Sequence, residues 1–165
     1  MNALAKDSIT LKLAGATVTL SAATLAELWL DKLRGKSANN AAPEPRIGEA
    51  LDGGIYMGIV RGEDGQPDYR LVDLGEAPEP LDWADATKWA ESKGGALPTR
   101  REQSVMFGNR AGEQYEPAWY WSSERYASNE AYAWVQNFLN GYQTSDHKDN
   151  GSRARAVRRV PVTEG

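Results

Sequence analysis

The sequence predicts an α+β protein: a small N-terminal ββα unit, a linker, and one larger domain in which two helices precede a β-rich C-terminal half. Three observations lead there. Residues 8–20 alternate apolar and polar side chains, which is strand periodicity; 22–34, 82–94 and 99–109 place apolar residues at helical spacing behind capping residues; beyond 118 the chain is aromatic and β-branched with turn residues between. With 165 residues, 41% hydrophobic and 25% charged, the chain has the composition of a soluble globular protein with one core.

Ser8–Leu13 and Ala16–Leu20 flank Ala14-Gly15 and read as a hairpin. A helix follows over about Ala22–Arg34, with an apolar stripe of Leu25, Leu28, Trp29 and Leu33, capping-box spacing at Thr24 and Glu27, and Gly35 at its end. So short a segment cannot bury that stripe alone, so it is expected to pack on the main domain or on another subunit, and residues 1–36 are expected to serve attachment or oligomerisation. Residues 37–47 belong to a linker rich in small, amide and proline residues, and 48–165 form the main domain. There Ile55–Val60 and Tyr69–Leu74 are strands joined through the Asp64-Gly65 turn. Asp82 caps a helix that stops at Gly94-Gly95, and Thr99 with Glu102 forms a capping box opening the next. Trp119–Ser123, Tyr132–Phe138 and Arg153–Val160 are strands, with Asn140-Gly141 and the polar SDHKDNGS stretch as turns or loops.

Composition narrows the chemistry. Without cysteine there is no disulfide, thiolate nucleophile or cysteine-bound metal, and a single histidine, His147, is a poor start for a zinc site, an iron site or a serine-type triad. Asp146, His147, Asp149 and Asn150 lack the donor series and closing glutamate of an EF-hand, so no metal and no cofactor are expected. A net charge of −4 argues against nucleic acid as a partner, and no apolar run suits a membrane span. Lys6 and Asp7 interrupt the region where a signal peptide would be apolar, which argues against general secretory export.

The order of motifs carries a resemblance. The stretch ending at Arg100, DWADATKWAESKGGALPTR, followed by YWSSE, AWVQNF, NGY and RARAVR, resembles the domain family named after the C-terminal domain of the Legionella collagen-like adhesin, a relative of the formylglycine-generating sulfatase-activating enzymes. The resemblance covers about two thirds of the chain and implies a C-type-lectin-like fold, with the domain's two ends in one sheet. The active-site cysteines of formylglycine-generating enzymes, the histidine triad of the iron-dependent sulfoxide synthases on this scaffold, and the Glu-Pro-Asn and Trp-Asn-Asp triplets of calcium-dependent lectins are all missing. Those activities do not carry over, and the expected role is binding, not catalysis.

Nine of the fifteen aromatic residues lie between Tyr115 and Tyr142. Trp121, Trp134 and Phe138 are expected in the core, and Trp83, Trp89 and Trp119 in packing. The expected ligand-binding set is Tyr126, Asn129, Tyr132, Gln136, Tyr142, Asp146, His147, Lys148 and Asn150, which mixes rigid aromatic contact area with adaptable hydrogen-bonding groups at turns. Arg153, Arg155 and Arg159 share a strand face opposite Arg158, and pairing with carboxylates or carbonyls is preferred to a basic patch. Together these features suggest a bacteriophage tail-fibre or tail-tip module, made in the host cytoplasm and carried in the virion. Its expected partners are a host cell-surface protein or polysaccharide, and other tail proteins or further copies of itself, trimers among them, through the N-terminal unit. The alternatives are a bacterial glycan-binding adhesin and a degenerate relative of the sulfatase-modifying enzymes working through carboxylates.

Overall fold

The computed structural model describes residues 8–13, 16–33, 44–109 and 115–162, and the chain divides into two compact units, residues 1–42 and 43–164. The expected C-terminal stop at Gly35 and the linker at 37–43 lie outside the described residues.

In the first unit β1 (Ser8–Leu13) and β2 (Ala16–Ser21) pair antiparallel, Ser8 opposite Ser21 and Leu13 opposite Ala16, and α1 (Ala22–Leu33) follows directly. The cap lies earlier than Thr24: the Ser21 hydroxyl accepts the Thr24 main-chain N–H at 3.0 Å, so Ser21 closes the first turn in place of the expected Thr24–Glu27 box. Leu28 and Trp29 are 57% and 61% exposed.

The second unit combines helices with two antiparallel sheets. One has the order β3 (Ala50–Leu51), β4 (Gly54–Val60), β5 (Tyr69–Glu76), β9 (Arg155–Pro161), so that the first and last strands of this unit share a sheet. Asp64 and Gly65 both take positive φ in the β4–β5 connection, and the Gln66 N–H returns to the Glu63 carbonyl, which is the tight turn expected there. The other sheet is β6 (Trp119–Arg125), β7 (Tyr132–Asn137), β8 (Gln143–His147). Strand β8 corrects the expectation of a loop. Apart from Thr144 its residues have little strand propensity, yet Gln143 to His147 pair with Gln136 to Tyr132, and that ladder decides the conformation.

The helices form where capping predicts. The Asp82 carboxylate accepts the Asp85 N–H at the start of α2 (Trp83–Ser92), and Thr99 and Glu102 complete a reciprocal box on α3 (Arg100–Gly108). Both pack on the sheets. Between α2, β6, β7 and the approach to β9 lies a core of Ala86, Ala90, Leu97, Trp121, Ala133, Val135, Ala154 and Ala156, where the small alanines admit the whole Trp121 indole. Gly95 makes this approach possible, since a Cβ there would lie 2.5 Å from the Val157 carbonyl oxygen. A second core, on the α3 side, holds Met57, Leu71, Met106, Tyr115, Tyr120 and Phe138.

Arg153 and the β9 arginines settle in carboxylate pairs. Asp73, turned inward beside the bulge at Asp73–Gly75, accepts Arg155 at 3.1 Å and the Tyr115 hydroxyl at 2.7 Å. Arg153 donates to Glu76, which also accepts the Tyr120 hydroxyl at 3.1 Å. Arg159 grips buried Glu102 through two bonds of 2.6 and 2.7 Å, while Arg158 donates to Asp52 and to the Gly94 carbonyl. These are the carboxylate and carbonyl partners preferred from the sequence; Arg155 is buried, Arg153 and Arg158 are half-buried, and Arg159 is exposed.

Candidate functional site

Strand alternation on β7 sends Ala133 and Val135 into the core beside α2, and Tyr132, Trp134 and Gln136 to the other side of the sheet. That side is covered unevenly. At the Gln136 end α3 lies across it. At the Tyr132 end the covering stops, leaving a half-buried cluster of Tyr126, Tyr132, Trp134 and His147 with Arg100, the first residue of α3.

The geometry of the cluster is explicit. Tyr126 meets Trp134 edge-on at 5.4 Å between ring centres, and Tyr132 meets His147, its cross-strand partner, at 5.2 Å and 80°. The Arg100 guanidinium lies 3.5 Å from the centre of the Trp134 ring, and its Nε donates to the Gln143 side-chain oxygen at 3.0 Å. Gln143 is itself clamped, donating to the Arg100 carbonyl at 2.8 Å and to the Gln136 side-chain oxygen at 2.6 Å. The Glu124 carboxylate accepts the main-chain N–H of Arg100 at 2.8 Å. Glu124 also borders a cavity of about 450 Å³ between the β4–β5 turn and α3, across which Arg101 pairs with Glu63.

Against this layout the expected site residues separate into several places. Tyr126, Tyr132 and His147 come together. Asn129 stands at the intervening turn, where its side-chain oxygen accepts the Ala131 N–H and its backbone joins Tyr126 to Tyr132. Asp146 opposes Ala133 and therefore lies on the α2 side of the sheet, where its carboxylate accepts from Asn150 at 2.8 Å. Lys148 is on that side too, its ammonium 4.7 Å from the centre of the Trp83 ring. Tyr142, 62% exposed, is at the opposite end of β7, edge-on to Trp119. Gln136 is a correction: at 1% exposure, under α3, it donates to the Gln103 carbonyl and receives from Gln143, so it is interior structure and no ligand contact.

Trp134 is the converse correction. Expected in the core with Trp121 and Phe138, it is half-buried, because alternation puts it on the face opposite Ala133 and Val135 and α3 covers only the Gln136 end of that face. Arg100 and Gln143 had no place in the expected site. The alternation of β7 was available to find Trp134. Nothing local could find Arg100, which is 34 positions from its ring partner.

Burial and partners shift several titrating groups. Burial, and then the Glu102 bond, push the Tyr69 hydroxyl up to about 12, and burial with the Glu44 bond does the same for Tyr56. Burial alone would raise the Glu102 carboxyl, but the Arg159 fork and the Thr99 and Tyr69 bonds outweigh it and hold that carboxyl low. All three belong to the scaffold. Among the described residues no group of three or more histidine or acidic side chains is arranged to hold a metal ion.

No protein-family model matches this chain, and no curated protein matches it significantly in sequence. The functional reading therefore rests on the residues and their geometry.

Proposed function

We propose that residues 48–162 are a C-type-lectin-like binding head of a phage tail fibre or tail tip, without catalytic activity, that recognises a host surface ligand through the open end of the β6–β7–β8 sheet. The observation that carries this is the convergence of Tyr126, Tyr132, Trp134 and His147 on one half-buried face, beside a cation held on Trp134. Rings fixed by packing offer contact area with little entropy left to lose, and flanking polar groups add direction. The order of sequence motifs and the sharing of one sheet by the unit's first and last strands support the lectin-like reading. The binding reading gains from the state of the interior acids, since Asp73, Glu76 and Glu102 are each committed to arginine and tyrosine partners and serve stability.

The N-terminal ββα unit is assigned to assembly, because its exposed Leu28 and Trp29 are surface that a partner or second copy would cover. Labelled protein applied to a panel of bacterial strains tests the main reading. Wild type should adsorb to some strains, and Tyr132→Ala should lose most of that adsorption with an unchanged circular dichroism spectrum. Equal adsorption by the two would move the binding face elsewhere. Deleting residues 1–36 should leave a folded head whose mass by light scattering shows a changed oligomeric state; an unchanged mass would remove the assembly role.

A further inference from the structure

Arg100 is unlike six of the described arginines, and shares its kind of seat with Arg125, whose guanidinium lies 5.7 Å from the centre of the Trp83 ring. Arg70, Arg101, Arg153, Arg155, Arg158 and Arg159 each meet a carboxylate. The Arg100 guanidinium meets an indole face and an amide oxygen instead, and one oxygen of the nearby Glu124 carboxylate accepts the Arg100 main-chain N–H. Its Nε is used. Among the described residues neither terminal nitrogen makes a hydrogen bond, and neither is fully shut off from solvent: the buried polar atoms left without a partner are Gln103 Oε1 and Arg155 Nε. Trp134 and Gln143 thus hold a half-buried guanidinium whose two terminal nitrogens are unused within the fold.

We infer that these two nitrogens are a binding fork for a single carboxylate, and that the ligand class of the face is a carboxylate-bearing glycan of the uronic-acid type. The inference rests on the binding reading above and names its ligand chemistry. A guanidinium offers two parallel N–H donors that match the two oxygens of a planar carboxylate, and holding it in advance removes the ordering cost that a free arginine would bear. The sugar is favoured because a uronic acid joins that carboxylate to an apolar ring face, and Tyr126, edge-on to the Trp134 ring that carries Arg100, and Tyr132 lie on the same face of the sheet. A densely charged polyanion fits poorly. The fork is one cation, Asp149 lies 3.7 Å from His147, and the whole chain carries −4, so repeated charges along a ligand find no further cations here.

The test is calorimetric titration of the full chain with oligogalacturonate, its carboxyl-reduced counterpart, dextran sulfate and polyglutamate. Wild type should bind oligogalacturonate and not the reduced oligomer. Arg100→Lys, which keeps the charge and loses the fork, should weaken binding by about tenfold or more, and Arg100→Gln should abolish it. Should Arg100→Gln fail to fold, Arg100→Lys carries the comparison. Undiminished binding by Arg100→Lys, equal binding of the reduced oligomer, preference for dextran sulfate or polyglutamate, or no binding of oligogalacturonate would each overturn the inference. Failure here is separable from failure of the binding reading: Tyr132-dependent adsorption to cells without galacturonate binding removes the ligand class alone, whereas Arg100-dependent galacturonate binding without cell adsorption removes the virion assignment alone.

Discussion

Arg155 and Arg100 both lie over aromatic rings, at 4.1 Å from Tyr115 and 3.5 Å from Trp134, yet one belongs to the interior and the other to the surface. Arg155 is surrounded by Asp73, Glu76 and the Tyr115 hydroxyl network, and its charge is used within the fold. Arg100 has an amide for its side-chain partner, so the ring orients it without neutralising it. An aromatic platform thus fixes where a guanidinium points in both places. The carboxylate, present or absent, decides whether that charge serves stability or is available to a ligand.

The sharpest way to break the comparison is Asp73→Ala. It removes the hydrogen-bonded carboxylate of a buried arginine, leaving only Glu76 at 3.8 Å, and should cost about 3–5 kcal/mol in urea denaturation, the range for one partner removed from a buried pair. A loss below about 1 kcal/mol, the usual scale of an exposed pair, would show that the interior arginine is no scaffold element.

Two tryptophans extend the contrast. Trp121→Ala empties a fully buried site and should cost about 3–5 kcal/mol, whereas Trp134→Ala, half-buried and bearing Arg100, should cost about 1–2 kcal/mol. The second variant should also lose ligand binding. Equal destabilisation by the two would return Trp134 to the core.

The Glu102–Arg159 pair yields a pH dependence. The folded carboxyl is held below its ordinary 4.5, so its stabilisation is present above that value and disappears as pH falls through the lowered one. Glu102→Gln should therefore be less stable than wild type at neutral pH, and the gap should close under acid; a gap constant with pH would refute the linkage. At the alkaline end Tyr56 and Tyr69, raised to about 12, contribute stability that is intact below the ordinary 10 and lost as pH rises through 12. Phenolate absorbance should show these two ionising near 12.

The smallest stability effects belong to Tyr132→Ala and Tyr142→Ala, each expected to lower the melting temperature only slightly. Their binding effects should differ. Tyr132 adjoins the Arg100–Trp134 cluster and Tyr142 sits at the far end of β7, so Tyr132→Ala should abolish most attachment and Tyr142→Ala little of it. A larger binding loss from Tyr142→Ala would place recognition on the Trp119–Tyr142 corner.

Local chemistry made much of this molecule readable in advance. The Asp82 cap, the Thr99–Glu102 box and the Asp64-Gly65 turn depend on residues within one turn of chain, and the core roles of Trp121 and Phe138 follow from their size and apolarity. The strand-face positions of the β9 arginines follow from alternation, and Tyr126, Tyr132 and His147 were legible as half-polar residues beside turns. What remained belonged to partners distant along the chain. Polar Gln143–His147 became a strand because β7 offered its backbone a ladder, and Gln136 went inside while Trp134 stayed half-open because α3 covers one end of their shared face. Arg155 finds Asp73 from 82 positions away and Arg159 finds Glu102 from 57. Alternation assigns a side chain to a face, but only the packed fold determines whether that face meets a helix, a carboxylate or water.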